Sequence, residues 1–519
     1  MRGIDWYVTS PKPTPREEPT EDSSAAPADP RSLLDPRSLL DTRSLLAKAE
    51  ALLSDDDQVE AVEPNAGGEA ALHPNDPDYN SSKVYGPQKI NAEAAWDVTT
   101  GRADLIVAVV DSGVSLTHPE FAGRLVSGID YVNDDNDPSD AFGHGTAMAG
   151  VIAAAINNNK GMVGISPNVK IMPVRVLDSL GQGNWGDWAA GIVYAVDHGA
   201  RIISLSLGSS TASQMGYDAI KYAYGHGVVV VAAAGNNGNT GPFYPASWPE
   251  VIAVSATDAN DVLWSLSNRG AYVDVSAPGS AIWSTNWTAA SPNGYSSRSG
   301  TSAAAAHTTG LAALLLSVTP TLTPTQVLAT LQQTAKDLGA KGRDDLYGAG
   351  RIDAGAAVAS LLYSKRMNSG GPAYTDSAGK GWVADTAYTA SGSGYITGTA
   401  RSTTASVGGT TDDALYQRWR EDPDEYRFTV PNGQYEVTLK FAEFVQASKT
   451  NGRLMRITVE GTAVETGLSI FNLAGKATAL DRVYSSVVRD GVLKVSVAKA
   501  SGSSLPAVVS AIAIRQTGP

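Results

Sequence analysis

The sequence has no cysteine among its 519 residues. Disulfide bonds, cysteine-ligated zinc and thiol nucleophiles are therefore excluded. Basic residues are fewer than acidic ones: the chain has 39 Lys and Arg residues and 53 Asp and Glu residues, which gives a formal net charge of −14. Broad electrostatic binding to nucleic acid or to an anionic membrane is not expected of such a chain.

Long apolar runs are also missing. None approaches the roughly 20 residues that a membrane span needs, so no span is expected. The N-terminus, MRGIDWYVTSPKPTPREEP, lacks the basic start and apolar core of a signal peptide. Either the protein is not exported by that route, or the sequence begins after processing.

Residues 1–80 are rich in Pro, Ser, Ala and acidic side chains, and they carry a six-residue repeat, RSLLDP-RSLLDT-RSLL, from Arg31 to Leu46. Such a composition cannot bury a core and predicts a disordered N-terminal arm. The stretch from Arg43 to Leu53 has the apolar spacing of a short amphipathic helix. A solvated tail is the preferred interpretation of the arm, and a docking peptide is the alternative.

From about Val84 onward, apolar runs of strand length alternate with small-residue helical stretches. The runs are LIVAVVD (105–111), GTAMAGVIAAA (145–155), VKIMPVRVL (169–177), WAAGIVYAVDHG (188–199), ARIISLSLG (200–208), HGVVVVAAAG (226–235) and VIAVSAT (251–257). This alternation predicts a doubly wound parallel α/β sheet in a domain at 81–364. A helix at 302–318, apolar nearly all round, should run through its centre. Thr323 is expected to cap the next helix.

The last third of the sequence changes character. A polar, glycine-rich stretch at 365–371 is predicted to be a linker. Residues 372–519 then show short alternating runs, such as EYRFTV and QYEVTLKFAE, bounded by PNG, NG and DG turns. This pattern predicts an antiparallel β-sandwich domain.

Three segments place reactive side chains at the ends of predicted elements. Asp111 closes the first strand in VVDSG, His144 begins a small-residue helix in GHGTAMAG, and Ser302 begins the buried helix in SGTSAAAAH. A serine hydroxyl needs a base to remove its proton, and the base needs a carboxylate to orient it. A fourth segment, AAAGNNG, places Asn236 after a buried strand, where its amide could stabilise an oxyanion together with the Ser302 backbone N–H.

These four segments resemble the subtilisin-like (subtilase) protease family over roughly Pro77 to Tyr363. The matching residues are Asp111 in DSG, His144 in HGT, Ser302 in GTS, and Asn236 as the oxyanion residue. The resemblance implies a serine endopeptidase that cleaves polypeptides through an acyl-enzyme on Ser302. A peptide ligase or macrocyclase using the same acyl-enzyme is one alternative, and a non-catalytic carbohydrate-binding protein is another. Secretion is implied as well, with a cytoplasmic location left open by the N-terminus.

The resemblance extends to substrate binding. Gly181-Gln182-Gly183 and Ser206-Leu207-Gly208 match the segments whose backbones pair with an extended peptide. TGPFYPAS (240–247) resembles the floor of the first specificity pocket, where Phe243 would make the pocket shallow and favour medium apolar side chains.

Three alanines depart from the family pattern. Ala147, Ala303 and Ala306 stand where the family usually has His, Met and Pro. Smaller side chains beside the nucleophile predict a roomier site, which would admit an amine in place of water. Another histidine on the buried helix, His307, is expected to be a packed, structural residue.

A loop just before His144 is dense in oxygen ligands. Certain family members, the thermitase-like ones, bind calcium in the matching loop, and the residue match gives Asp130, Asn133, Asp135 and Asp137. Calcium takes six to eight oxygen ligands, so this loop is a candidate site. An acidic, solvated loop is the alternative. Glu120 matches another calcium ligand of the family, although the loop expected to complete that site, INNNKG (156–161), is altered.

The C-terminal domain resembles malectin-like carbohydrate-binding domains in AYTDSAGKGW, DDALYQRWR, YRFTVPNGQYEVTLKFAEF and VVSAIAI. The resemblance implies sugar stacking on aromatic residues at one rim. The matching positions are Tyr374, Tyr416 and Phe444. A structural or protein-docking role is an equal alternative.

Overall fold

The computed structural model describes residues 73–81, 83–445 and 452–518. Seven strands form one sheet in which every neighbouring pair is parallel. They are β1 (Ile106–Asp111), β2 (Ile129–Asp130), β3 (Lys170–Arg175), β4 (Ile202–Leu205), β5 (Val229–Ala233), β6 (Val251–Thr257) and β7 (Val275–Pro278). The order across the sheet is β2-β3-β1-β4-β5-β6-β7. The predicted doubly wound α/β fold is confirmed, and the strand order reverses beside β1.

Helices cover this sheet on both faces. They are α1 (Pro77–Asn80), α2 (Gly86–Lys89), α3 (Ala92–Trp96), α4 (His144–Ala153), α5 (Trp185–Asp197), α6 (Gln214–Gly225), α7 (Thr301–Val318), α8 (Pro324–Thr334) and α9 (Ala354–Ser360). One core lies between the sheet and α4 and α7, and a second lies between the opposite face and α5 and α6. Strand β1 shows why both faces are apolar, because Val107 and Val109 enter the first core while Ala108 and Val110 enter the second.

Helix α7 passes through the middle of the first core. Every residue from Thr301 to Ser317 is buried, as its all-round apolar sequence predicted. Among the residues with described structure, α7 is also the helix long and apolar enough to cross a membrane, but 94% of it is buried inside the protein. Thr323 caps α8 and forms a capping box with Gln326, which confirms the predicted start of that helix.

A hairpin precedes α7. Its strands are β8 (Ile282–Thr288) and β9 (Ser291–Arg298), which pair antiparallel. Ser284 and Thr285 donate hydrogen bonds to the carbonyls of Ala147 (2.6 Å) and Thr146 (2.7 Å) in α4. The hairpin therefore braces the helix that begins with His144.

The C-terminal region is built almost entirely of strands, in agreement with the predicted β-sandwich. They are β10 (Ser364–Asn368), β11 (Tyr374–Thr375), β12 (Gly381–Ala384), β13 (Ser393–Tyr395), β14 (Thr399–Ser402), β15 (Arg418–Glu421), β16 (Asp424–Thr429), β17 (Gly433–Phe441), β18 (Met455–Val459), β19 (Thr462–Leu468), β20 (Leu480–Val488), β21 (Val492–Lys499), β22 (Val508–Val509) and β23 (Ala511–Gly518), with one short helix, α10 (Ile470–Ala474). The main sheets have the orders β11-β12-β10-β23-β17-β20 and β13-β16-β21-β18-β19, with β14-β15-β22 beside them. Alternate residues of β17 fill the core between them.

Two predicted boundaries need correction. Most of the predicted linker, 365–371, is a strand, because β10 pairs with β23 from Ser364↔Arg515 to Met367↔Ile512. The end of the predicted arm is also structured, since α1 places Tyr79 in the first core with no exposed surface. The amphipathic stretch 43–53 lies outside the described residues.

Candidate active site

The Asp111 carboxylate and the His144 imidazole form a close pair. Asp111 ends β1 and His144 begins α4, and Nδ1 of the ring lies 2.7 Å from Oδ1 and 2.9 Å from Oδ2. A side chain at Gly145 would meet the carbonyl of Gly113 at 2.1 Å, so the turn that brings the two elements together requires glycine there. Because Asp111 accepts a hydrogen bond from Nδ1–H, Nε2 of His144 is left without a proton and can act as a base.

A second buried aspartate holds the histidine loop. Oδ1 of Asp140 accepts hydrogen bonds from the hydroxyl of Ser112 (2.8 Å) and from the amides of Phe142 (2.9 Å) and Gly143 (2.7 Å). Its Oδ2 accepts from the amide and hydroxyl of Thr146. Asp140 thus positions both ends of the turn that carries His144, a role that no sequence motif indicated.

Burial and the neighbouring charges shift the pKa of His144 in opposite directions. Burial favours the neutral ring, yet the charge of Asp111 and its hydrogen bond outweigh burial and raise the pKa of His144 above its ordinary value. Asp140 adds to this rise, and the positive charge of Arg298 works against it.

Ser302 lies at the same edge of the sheet. It is the second residue of α7 and 8% exposed, and its hydroxyl donates to the carbonyl of Ser206, which follows β4, at 3.3 Å. Strands β1 and β4 are neighbours. Asp111 ends β1, and Ser302 contacts Ser206 just after β4, so both lie at the point where the strand order reverses. Within the described contacts, no hydrogen bond joins Ser302 to His144. Catalytic hydrogen bonds are often long in a free enzyme and shorten when substrate binds.

The side chain of Asn236 is oriented by Thr301. Its Oδ1 accepts hydrogen bonds from the Thr301 amide (2.9 Å) and hydroxyl (2.8 Å). The oxygen is thus committed to both donors, and Nδ2 lies near Gly300, two residues before Ser302. The backbone N–H of Ser302 lies in the first turn of α7, where amides have no partner within the helix.

The family model described as "Subtilase family" matches residues 102–350, and that described as "Malectin domain" matches residues 363–511. Thermitase from Thermoactinomyces vulgaris is 46% identical over 55% of this chain and 99% of its own length. The chain belongs to the subtilase family. It is a serine endopeptidase, as its relatives' names and the family match together show.

Other relatives extend the match. A thermophilic serine proteinase from Bacillus sp. (strain AK1) is 44% identical over 59% of this subtilase and 74% of its own length. Among solved structures, a protease from Pseudoalteromonas arctica PAMC 21717 aligns with a TM-score of 0.52 and 31% identity, covering 56% of this chain and 100% of its own. The predicted family and fold are therefore confirmed.

The predicted substrate-binding segments border the site. The Ser206 hydroxyl donates to the Ser302 carbonyl at 3.2 Å, and Leu207 and Gly208 follow directly. Phe243 packs against Gly208, where a side chain would meet the ring at 2.5 Å. On the other side, Gly181 and Gly183 lie in the turn before α5, and the Phe142 ring contacts Gly181 and lies 6.4 Å from the His144 ring.

The three unusual alanines are buried. Ala147 and Ala306 have no exposed surface and Ala303 is 2% exposed, and all three lie in the first core. None of their methyl groups adds accessible surface to the cleft, so the expected enlargement of the site is not seen there. His307 is a packed residue, as predicted: Nδ1 lies 2.8 Å from the Ala303 carbonyl, and burial lowers its pKa to about 4.

The predicted calcium loop does not gather its four side chains. Asp130 is buried and paired with Arg175 at 2.7 Å, and it also accepts from the side chain of Asn133. Asp135 and Asp137 are exposed and accept hydrogen bonds from backbone amides of their own loop. In the part of the chain that is described, no group of three or more His, Asp or Glu side chains forms a metal-binding cluster. The four predicted ligands are thus engaged by partners within the protein, and the charge of Asp130 is already neutralised.

Two other carboxylates are buried together. Asp76 and Glu120 have no exposed surface. Asp76 accepts from the amides of Asn157 (2.9 Å) and Asn158 (3.3 Å), and Glu120 accepts from the Asn158 side chain (2.8 Å) and the Tyr295 hydroxyl (2.7 Å). Burial raises the pKa of both groups, and the charge of Asp76 adds to the rise at Glu120.

The three aromatic residues predicted to bind sugar lie around one small core of the C-terminal region. Tyr416 is 3% exposed and donates to Asp481 at 2.7 Å, and Tyr374 donates to Asp412 at 3.0 Å. Phe444 stacks on Trp419 with the ring centres 5.4 Å apart. They pack together and do not form an open aromatic platform.

Proposed function

We propose that this subtilase cleaves peptide bonds through an acyl-enzyme on Ser302. Nε2 of His144 takes the proton from the Ser302 hydroxyl as Oγ attacks the scissile carbonyl, and then gives that proton to the leaving amine. Asp111 fixes the ring and stabilises the imidazolium. The observation that carries the proposal is the 2.7 Å pair of His144 and Asp111 at the sheet edge that also holds Ser302.

Asn236 and the Ser302 backbone N–H are the proposed oxyanion donors. Thr301 commits the Asn236 oxygen, so the amide group is already in place before negative charge develops. Such preorganised donors stabilise the tetrahedral intermediate without having to reorganise during the reaction. Extended substrate would add a strand beside Ser206–Gly208 and Gly181–Gly183, with Phe243 closing a shallow specificity pocket.

We also propose that calcium binds between Asp76 and Glu120. Two buried carboxylates, with the charge of Asp76 adding to the rise in the pKa of Glu120, call for a cation. Within the described residues neither forms an ion pair, since Arg124 donates to main-chain carbonyls, that of Glu120 included. Loop 156–161 contacts both carboxylates through Asn157 and Asn158, so its backbone carbonyls would supply the further oxygens that a hard cation takes.

Calcium is expected to raise the melting temperature, because it binds the folded state and neutralises this pair. At a hundred times the Kd the shift should be about 5–10 °C. Asp76→Asn should remove most of the shift, whereas Asp135→Asn, in the loop whose buried Asp130 is already paired with Arg175, should keep it. Differential scanning fluorimetry with calcium or chelator measures all three proteins. A shift lost in Asp135→Asn and kept in Asp76→Asn would return the site to the 130–137 loop.

The C-terminal region is proposed to bind carbohydrate. An open pocket of about 270 Å³ lies on the outer face of the six-stranded sheet, where Glu436, Thr438 and Lys440 of β17 point the same way. Asp376 and Arg515 add further polar groups around it. A pocket rich in charged hydrogen-bonding groups, in a malectin-like domain, suits sugar hydroxyls.

Lys440→Ala should weaken binding of an oligosaccharide about tenfold, because a charged hydrogen-bond donor is lost from the pocket. A glycan array identifies the oligosaccharide, and calorimetry on the full chain gives the affinities. Lys494→Ala, on a strand of the other sheet, is the matched control. Equal affinities for the two variants, or no oligosaccharide bound at all, would contradict the proposed pocket.

An extracellular location is proposed on the strength of a relative. The "Halolysin-like extracellular serine protease Nep" of Natrialba magadii is 38% identical over 58% of this chain and 56% of its own length.

A further inference from the structure

Arg298 is a cation without an anionic partner in the wall of the active site. It ends β9, four residues before Ser302, and is half-buried. Nη2 donates to the side chain of Asn286 at 2.7 Å, while Nε is buried and has no hydrogen-bond partner. In the described parts of the chain no carboxylate forms an ion pair with this guanidinium.

Other buried arginines of the protein are paired. Arg175 pairs with Asp130, Arg351 with Asp261 and Arg420 with Asp385, each at 2.8 Å or less. Acidic residues outnumber basic ones in this chain, so carboxylates are not scarce. Arg124 also lacks a carboxylate, but it donates to three main-chain carbonyls. Arg298 has one described hydrogen bond, to Asn286, and therefore keeps binding capacity for a group that arrives from outside.

The guanidinium lies beside the catalytic histidine. A side chain at Gly143 would come within 3.2 Å of Nη2 of Arg298, and the φ of +88° at Gly143 already demands glycine. The Phe142 ring, next to Gly143 in the chain, contacts Gly181 and lies 6.4 Å from the His144 ring. Acyl-side substrate would follow Gly181–Gly183 and Ser206–Gly208. Among the described contacts, the Arg298 side chain touches Gly143 and Asn286 and neither of those segments, which favours a place on the leaving-group side.

We propose that Arg298 binds a carboxylate of the substrate on the leaving-group side of the scissile bond. The proposal rests on the roles proposed above for His144 and Ser302. The carboxylate is either the side chain of an acidic residue just after the cleaved bond or the free C-terminus of a short leaving peptide. Both present two oxygens to a planar guanidinium, whose Nη groups can donate to them.

Three peptides with the same acyl-side sequence test this binding. The first has Glu after the scissile bond and an amidated C-terminus, the second has Gln and an amide, and the third has Gln as a free C-terminal acid. We expect kcat/KM for the first or the third to exceed that for the second by about five- to tenfold. Preference for the Glu peptide identifies a side-chain carboxylate, and preference for the acid identifies a C-terminal one.

Arg298→Gln should bring the ratio close to one, and Arg298→Lys should keep part of it because the charge remains. Arg102→Gln is the control, since it removes the same charge from the opposite, amino-terminal edge of the sheet. Equal cleavage of the three peptides by the natural chain, or a ratio that survives Arg298→Gln, overturns the proposal. If the proposed triad were wrong, the Ser302→Ala variant would still cleave the peptides. That result is distinct from a failure of the Arg298 proposal.

Discussion

Ser302→Ala is expected to lower kcat by about a millionfold, because no other group can take the acyl chain. The fold should survive, since the Ser302 hydroxyl makes only a long hydrogen bond of 3.3 Å to Ser206. Stability should change by no more than about 1 kcal/mol. Peptide hydrolysis and thermal denaturation, measured on the same preparation, separate the two effects.

A serine-directed fluorophosphonate gives the matching chemical result. It should label Ser302 in the natural chain, as mass spectrometry of the digested protein would show, and it should leave the variant unlabelled. Comparable turnover by the variant, or a label on another serine, would refute the assignment of the nucleophile.

Asp111→Asn should lower kcat by about ten-thousandfold while leaving the backbone in place. An amide at this position can donate to Nδ1, which favours the wrong tautomer of His144. The remaining activity should also shift with pH. Asp111 raises the pKa of His144, and catalysis needs the neutral ring, so the loss of that charge moves the acid limb of kcat/KM to lower pH.

Asp104→Asn is the matched control for that variant. Asp104 is an exposed residue just before β1, at the other end of the strand that Asp111 closes. The same change of charge there should leave both the rate and the acid limb as they are. An acid limb that stays in place in Asp111→Asn would mean that this carboxylate does not set the pKa of His144.

Much of the active site could be predicted because its parts are tied to local sequence. Asp111 ends a continuous apolar strand, and Ser302 begins a helix that is apolar all round, so each side chain lies at a predictable end of an element. The carbonyl of Gly113 approaches Gly145 so closely that glycine is required there. The histidine motif therefore has a glycine at a fixed place and can be recognised in the sequence. The parallel sheet then brings the strand ends to one edge.

The remaining features depend on contacts between distant residues. Arg298 has no motif of its own and matters only because the β8–β9 hairpin lays it against Gly143. Asp76 falls in a stretch whose composition predicted disorder, yet it is buried by loop 156–161. The 130–137 loop has the ligand types for calcium, but Arg175, from a neighbouring strand, neutralises its only buried member among the four predicted ligands.

The burial of α7 bears on how heat would inactivate this protease. The proposed nucleophile, Ser302, belongs to a helix whose residues from Thr301 to Ser317 are all buried, so it cannot become mobile unless the surrounding core opens. Regions of this kind exchange their amides only when the whole domain unfolds. Loss of activity and loss of structure should thus occur together. At temperatures below the unfolding transition, each molecule that remains folded should be fully active.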